Sequence, residues 1–216
     1  MLREVTGAMA LRQDTDVKGN VIKYTSKNPI KQLLMRRFLK RIAILLARRC
    51  PVTVLDVGCG EGFVIACLRK RLPSVRLMGL DCSESTLRHP LPSSGPYEKI
   101  QADAFSLPFR DRSVEAILCL EVLEHLSQPG QLLEEIARVC NHYAIFSVPN
   151  EPWFRLANLA ALNNVRALGN DPGHVQHWGI RPFARLVASH FRVVEVTASF
   201  PWSIVVAERD TELGPD

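Results

Sequence analysis

The 216-residue chain carries 27 Lys or Arg residues against 22 Asp or Glu residues, a formal charge of +5, and 47% of its residues are hydrophobic. These values exclude a disordered or fibrous chain and predict a single globular domain with a sizeable core. The positive charge is local: ten Lys or Arg residues and no acid lie between Asp16 and Asp56, which leaves 17 basic and 22 acidic residues elsewhere.

The first 13 residues hold only a short apolar run, and no uncharged stretch approaches the ~18 residues that span a membrane. We therefore expect neither a signal peptide nor a membrane span. The six cysteines, at positions 50, 59, 67, 82, 119 and 140, include no C-x-x-C pair and have no histidine at metal-ligand spacing beside them. Reduced cysteines are typical of a cytoplasmic protein, which is the expected location.

An amphipathic helix is predicted from Asn28 to about Arg49, with Pro29 in its first turn. Its apolar face consists of Leu34, Met35, Phe38, Leu39, Ile42, Leu45 and Leu46. Its basic side consists of Arg36, Arg37, Lys40, Arg41 and Arg48. Two interpretations of residues 1–49 stay open: the apolar face packs on the core of the next domain, or the helix makes a peripheral contact with an anionic membrane surface.

Residues 50–210 are predicted to form one α/β domain, because short apolar strands alternate with helical segments. Seven strands are predicted, at 52–57, 75–80, 98–102, 114–119, 143–148, 192–197 and 202–207. Helices are predicted at 62–71, 129–139 and 182–189, whereas the three prolines of 89–96 predict an irregular segment. The pattern favours a mostly parallel, Rossmann-like sheet with helices on both faces.

Residues 151–179 are interpreted as an insertion between the fifth strand and the last helix, with a helix at 151–169 and a loop at 170–179. Open α/β sheets bind ligands at the carboxyl ends of their strands, so the insertion is expected to cover an acceptor pocket there. Aromatic side chains of the last third suit an apolar pocket: Trp153, Phe154, Trp178, Phe183, Phe200 and Trp202. Core packing is the alternative explanation, notably for Trp202.

A glycine-rich turn, Leu-Asp-Val-Gly-Cys-Gly-Glu-Gly at 55–62, connects the first predicted strand to the next helix. Glycine removes side chains where a backbone turns tightly and approaches a ligand. A nicotinamide dinucleotide fingerprint would need its third glycine at position 63, which is Phe63. Asp56, just before the turn, would repel a pyrophosphate and favour a cationic amino-acid ligand. The pattern argues against a nicotinamide-dependent oxidoreductase.

Asp81 ends the second predicted strand. A carboxylate at this position can accept hydrogen bonds from both hydroxyl groups of a ribose. The alternative is an acid at the N-terminus of a short helix, since Cys82 and Ser83 lead into one. The glycine-rich turn earlier in the chain favours the ribose.

The chain resembles the class I methyltransferases that depend on S-adenosyl-L-methionine (SAM), in particular the type-11 group that includes ubiquinone and menaquinone biosynthesis enzymes. Four motifs in order carry the resemblance: the turn at 55–62, Gly-Leu-Asp at 79–81, Ala-Asp-Ala-Phe-Ser-Leu-Pro-Phe at 102–109 and Leu-Glu-Val-Leu-Glu-His-Leu at 120–126. The resemblance is strong over 50–150 and extends to the rest in topology only. It implies a Rossmann-like fold, SAM as cofactor and methyl transfer as activity.

The resemblance also implies which residues hold SAM. They are Asp56, Gly58, Cys59 and Gly60 for the methionine part, Asp81 for the ribose, Cys82 for one face of the adenine, Asp103 and Ala104 for the adenine amino group, and Leu120, Glu121 and Val122 beneath the sulfonium. For Asp103 the alternative is a turn residue that ends a strand.

Two histidines, His174 and His177, lie in the predicted loop beside Trp178. Histidine can take up a proton near neutral pH, which an oxygen acceptor must release, so both are candidate catalytic residues and His177 is favoured. The alternative is that they orient the loop by hydrogen bonds. Two ligands do not establish a metal, and no metal site is predicted. Glu121 and His125 are further candidates for a base, or residues that only pack the connection after the fourth strand.

The acceptor is expected to be a small molecule or lipid-like compound, with O- or C-methylation favoured. Enzymes that methylate amino groups of nucleic-acid bases resemble one another in an Asn or Asp, Pro, Pro, aromatic motif after the fourth strand, where this chain has Leu-Glu-Val at 120–122. Only Tyr24 and Phe38 accompany the basic residues as stacking partners, which argues against nucleic acid. An RNA or protein methyltransferase and a noncatalytic SAM-binding protein remain the alternatives.

Overall fold

Seven strands form one sheet in the order β3-β2-β1-β4-β5-β7-β6. The computed structural model describes residues 28–88, 95–160, 168–171 and 173–209. The strands are β1 (Thr53–Val57), β2 (Arg76–Asp81), β3 (Glu98–Gln101), β4 (Val114–Leu120), β5 (Cys140–Pro149), β6 (Arg192–Ser199) and β7 (Trp202–Glu208). Pairing is parallel from β3 across to β5, and β7 is antiparallel to both β5 and β6. The predicted mostly parallel, seven-stranded α/β fold is confirmed.

One helix of the described residues precedes β1, and the others connect the strands. The helices are α1 (Pro29–Ala47), α2 (Phe63–Arg71), α3 (Glu84–Arg88), α4 (Pro129–Val139), α5 (Trp153–Ala160) and α6 (Ile180–Ala188), with a 3-10 helix at Leu123–His125. Asn28 caps α1, since its side-chain oxygen accepts from the backbone N–H groups of Ile30 at 2.9 Å and Lys31 at 3.3 Å. Of the predicted helix at 151–169, residues 153–160 are observed as α5, whereas 151–152 and 168–169 form turns. Residues 161–167 lie outside the described residues, as do 1–27 and 89–94.

The sheet is covered on both faces, which explains its nearly continuous apolar strands. Successive side chains of a strand point to opposite faces. In β1, Leu55 and Val57 belong to one buried cluster and Val54 to another. The first cluster includes side chains of α4 and α6, and the second includes side chains of α1 and α2. The domain therefore has two core layers, one on each face of the sheet.

Strand β5 is longer than the predicted 143–148, because neighbouring strands extend its pairing at both ends. Cys140 pairs with Val114 of β4, and Pro149 pairs with Trp202 of β7. Helix α6 starts at Ile180, two residues before the predicted start at Pro182. Proline is tolerated in the first turn of a helix, where its missing N–H has no partner to lose.

Helix α1 buries its apolar side against the sheet. Phe38 is fully buried, and its ring centroid lies 4.8 Å from that of Trp202 in β7. On the basic side, the guanidinium of Arg41 donates to Glu195 at 3.1 Å and to Thr197 at 3.0 Å, both in β6. The buried apolar side chains are not available to enter a membrane surface. Among the described residues, no helix is long and apolar enough to cross a bilayer.

Candidate active site

The glycine-rich turn leaves β1 in a conformation that needs glycine. Gly58, Gly60 and Gly62 all have positive φ, at 76°, 51° and 82°. A Cβ atom at position 58 would lie 2.4 Å from Cγ2 of Val122, so a side chain there would collide with the segment that follows β4. The predicted tight turn is observed, and it brings bare backbone to the carboxyl ends of the central strands.

Asp81 ties this turn to the end of β2. Its Oδ2 accepts from the backbone N–H of Gly60 at 2.9 Å, and its Oδ1 accepts from that of Ser83 at 2.8 Å. The second bond agrees with the alternative that Asp81 organises the entrance to α3. Each carboxylate oxygen has a second lone pair, so the same group can still accept from ribose hydroxyls.

Asp56 lies in β1 next to this network and is only 3% exposed. Burial, together with the nearby negative charge of Asp81, raises the pKa of Asp56 to about 8. Ionisation of Asp56 beside Asp81 in this water-poor region is therefore unfavourable unless a cation is near. A ligand that carries an ammonium or sulfonium group would lower this cost, whereas a pyrophosphate would raise it.

The predicted adenine-side residues meet at the ends of β2 and β3. Cys82 is exposed as a residue, but its sulfur atom is partly shielded from water. This shielding, together with the charges of Asp81 and Asp103, raises the pKa of the thiol. Asp103 Oδ1 accepts from the N–H of Phe105 at 3.0 Å, as the turn interpretation expected. Ala104 packs against the core layer that contains Leu55. Asp103 therefore has a structural role in this turn, and its charge also acts on the thiol of Cys82.

The segment after β4 reaches the same edge. Leu120 is almost fully buried, and Glu121 adopts a left-handed backbone with φ 60°. Such a conformation is uncommon in residues other than glycine and concentrates at functional sites. The Glu121 carboxylate accepts a 2.6 Å hydrogen bond from the indole N–H of Trp202. Trp202 packs in the core, as the alternative interpretation expected, and also positions Glu121.

Tyr97 belongs to the site, and the sequence interpretation missed it. A Cβ at Gly62 would lie 2.9 Å from its hydroxyl oxygen, and a Cβ at Gly79 would lie 2.8 Å from its ring. The tyrosine therefore covers the glycine-rich turn and the end of β2. It follows the irregular proline-rich segment, where no periodicity predicted an inward side chain.

The predicted insertion begins at the carboxyl end of β5. Asn150 forms a parallel bridge with Trp178, and the Glu151 N–H donates to the Trp178 carbonyl at 3.0 Å. These bonds hold loop 173–179 against the end of β5. Phe154 of α5 lies 5.4 Å from the ring of His174, and Trp153 is 53% exposed. Aromatic side chains therefore line the insertion where the acceptor is expected.

The two candidate histidines have different surroundings. The His174 ring centroid lies 5.1 Å from that of His125. His177 is exposed and interacts electrostatically with the carboxyl group of Glu151. Burial raises the pKa of Glu151, and the positive charges of Arg155 and His177 partly offset that increase. The structure thus brings His174 to the segment after β4 and His177 to the start of the insertion.

Comparison with known proteins agrees with this architecture. Residues 55–148 match the family model described as a methyltransferase domain. A probable S-adenosylmethionine-dependent methyltransferase of Mycobacterium tuberculosis is 33% identical over 115 residues, which are 50% of this chain and 40% of the relative. The demethylmenaquinone methyltransferase of Thermotoga maritima is 33% identical over 103 residues, 48% of this chain and 45% of the relative. The chain thus spans less than half the length of these relatives.

A solved structure extends the likeness in fold to nearly the whole chain. The structure of the magnesium protoporphyrin IX methyltransferase from Synechocystis, with bound S-adenosylhomocysteine (SAH), matches with a TM-score of 0.71 at 16% sequence identity. The match covers 96% of this chain and 100% of the Synechocystis chain. The strand order and this likeness identify the fold as the Rossmann-like fold of class I methyltransferases. Over residues 55–148 the chain is similar to the methyltransferase domain that this family model describes and to SAM-dependent relatives.

Proposed function

We propose that this protein transfers the methyl group of SAM to a small-molecule or lipid-like acceptor. The observation that carries the proposal is the pair Asp56 and Asp81 beside a glycine turn, at the carboxyl ends of adjacent strands. This arrangement combines bare backbone, a ribose acceptor and negative charge for a cationic ligand. A SAM molecule supplies each matching group, together with a methyl that its sulfonium already activates.

The residues fit SAM in detail. Asp56, once ionised by the approaching cation, would offset the ligand's ammonium, and the backbone of the turn from Gly58 to Gly60 would contact the methionine part. Asp81 would hold the ribose. The remaining proposed contacts are Cys59 at the turn, Cys82, Asp103 and Ala104 around the adenine, and Leu120 and Glu121 beneath the sulfonium.

Three observations support a small or lipid-like acceptor. The Thermotoga relative is named for demethylmenaquinone, and the Synechocystis structure is named for magnesium protoporphyrin IX. The insertion presents Trp153, Phe154 and Trp178 near the carboxyl ends of the strands. Such side chains bind apolar rings or chains with little loss of conformational entropy.

The six cysteines are all free, which supports a reducing, cytoplasmic environment for the protein.

Incubation of the full chain with labelled SAM and separated lipid, small-molecule, RNA and protein fractions tests the acceptor class. Label is expected in the lipid or small-molecule fraction, with equimolar release of SAH. Asp81→Ala serves as the matched blank for background transfer. Label in RNA or protein would overturn the acceptor class, and SAM binding without transfer to any fraction would leave a noncatalytic binding protein.

The chain's own contribution to methyl transfer is positioning and proton removal. The covering insertion excludes water and holds the acceptor in line with the methyl group. An oxygen acceptor must also lose a proton. His177 is the proposed base, because it lies beside Trp178 in the loop that meets the end of β5 and interacts electrostatically with the carboxyl group of Glu151.

His177→Ala is expected to lower kcat about 100-fold while the affinity for SAM stays unchanged, because a base acts in the transfer step and not in cofactor binding. Turnover at saturating SAM and SAH calorimetry measure the two effects. His142→Ala, at an exposed position near the start of β5, is the control. Near-wild-type turnover of His177→Ala would show that His177 is not the base, and Glu121 and His125 would be tested next.

A further inference from the structure

Three side chains with metal-binding atoms converge beside the end of β4. Glu124 and His125 come from the 3-10 helix that follows the strand, and His174 comes from the insertion loop. One ligand atom from each residue lies within 4.8 Å of the other two. We propose that this cluster is a binding site for a divalent transition-metal ion.

Backbone hydrogen bonds hold the two parts of the cluster together. The Glu124 carbonyl accepts from the N–H groups of Val175 at 2.9 Å and Gln176 at 3.0 Å. The Gln176 side chain also donates to the Leu126 carbonyl at 3.3 Å. Because these bonds flank both Glu124 and His174, the ligands are brought near each other before any ion binds. A prearranged site spends less binding energy on ordering its loop.

The hydrogen bond of His125 suits a metal ligand. Its Nδ1 lies 2.9 Å from the carbonyl oxygen of Gly173, and since a carbonyl only accepts, Nδ1 carries the proton and donates. The lone pair then resides on Nε2. Metal-binding histidines nearly always donate their second ring nitrogen in this way, which fixes the tautomer and increases the basicity of the ligand atom.

The burial and charge of Glu124 also favour a cation. The residue is only 1% exposed, and a carboxylate removed from water is costly to keep charged. A divalent ion at the cluster would offset that cost directly. Ligand atoms around a tetrahedral ion are separated by about 3 to 3.5 Å when the bonds are about 2.1 Å, so the three side chains would move closer together on binding an ion than the observed 4.8 Å limit.

The donor set selects the class of ion. Two imidazole nitrogens with one carboxylate oxygen are typical of zinc, iron, cobalt and manganese sites, whereas magnesium and calcium prefer oxygen ligands alone. Three protein ligands leave at least one coordination position for water or another oxygen. A role for that position in holding an oxygen of the methyl acceptor rests on the proposed function, but metal binding itself does not.

Titration of the metal-free full chain with Co²⁺ tests the site without any methyl transfer. We expect a visible absorption change that saturates at one ion per chain. His174→Ala should weaken Co²⁺ binding about 100-fold, and His125→Ala similarly, because each removes one of three ligands. The His142→Ala control, at the exposed start of β5, should bind as wild type does. Millimolar Mg²⁺ should not displace the cobalt.

The outcomes separate this proposal from the methyltransferase proposal. No saturable cobalt binding by the wild type, or unchanged binding in both His125→Ala and His174→Ala, would overturn the site. Displacement by Mg²⁺ would overturn the assignment to transition metals. SAH calorimetry on the same samples reports on the cofactor site, so failure of one proposal does not mask the other. Unaltered melting of His174→Ala would show that lost binding is not lost folding.

Discussion

Replacement of Asp56 by Asn is expected to stabilise the folded protein at pH 8 by on the order of 5 kcal/mol and to change its stability little at pH 4. The folded-state pKa of Asp56 is raised to about 8 by burial and by the charge of Asp81, from an ordinary value of 3.8. Between pH 3.8 and about pH 8, the Asp56 carboxyl group is ionised in the unfolded chain but protonated in the folded chain. Stability from this group is therefore complete below pH 3.8 and is lost as pH rises to about 8.

Chemical unfolding of wild type and Asp56→Asn at intervals from pH 4 to 9 measures the difference. Each pH unit inside the window changes the wild-type free energy of unfolding by up to ~1.4 kcal/mol relative to the variant. Glu134→Gln, in which a 72% exposed carboxylate is neutralised, should give a curve parallel to the wild type. Parallel wild-type and Asp56→Asn curves would contradict the raised pKa of Asp56.

The destabilising carboxyl group of Asp56 is explained by the cationic ligand proposed to bind beside it. A ligand with an ammonium group near Asp56 lowers the pKa that burial raises, so it favours the ionised form. Binding of such a ligand at pH 7 should then release a proton from the protein. Asp56 thus lowers the stability of the ligand-free folded chain but increases its affinity for a cationic ligand, a trade-off common in active sites.

Features with a local sequence signal were predictable. The glycine spacing at 58, 60 and 62 predicted the tight turn, and alternation of apolar strands with amphipathic helices predicted the mostly parallel sheet. Helix α4 has the predicted bounds because Pro129 and the apolar spacing mark it locally. Strand β5 extends beyond its prediction because its ends depend on partners elsewhere in the chain.

Contacts between distant segments were not predictable from one sequence. The hydrogen bond from Trp202 to Glu121 joins residues 81 positions apart. The packing of Tyr97 over the glycine turn depends on the path of β3. Similarly, Glu124 and His125 lie next to His174 only after the insertion folds back along the strand ends. Neither periodicity nor motif spacing predicts such long-range contacts, because they form only through tertiary packing.

Asp81→Ala is expected to weaken SAH binding about 1,000-fold, or about 4 kcal/mol, from a wild-type affinity in the micromolar range. The variant loses two charge-assisted hydrogen bonds to the proposed ribose, each worth about 1.5 to 3 kcal/mol. It also loses the bonds that Asp81 accepts from Gly60 at 2.9 Å and Ser83 at 2.8 Å, which hold the turn beside the end of β2. Titration calorimetry with SAH gives the affinity directly.

Asp81→Asn separates the two contributions. An amide keeps one acceptor oxygen, so it can retain the bond from Gly60 or from Ser83 but offers a single acceptor where the carboxylate offers two. Its SAH affinity should lie between those of wild type and Asp81→Ala, and Glu134→Gln on the surface should match wild type. An SAH affinity of Asp81→Ala within a few-fold of the wild-type affinity would show that Asp81 does not bind the ribose. Tighter binding of a nicotinamide dinucleotide than of SAH by the wild type would remove the cofactor assignment itself.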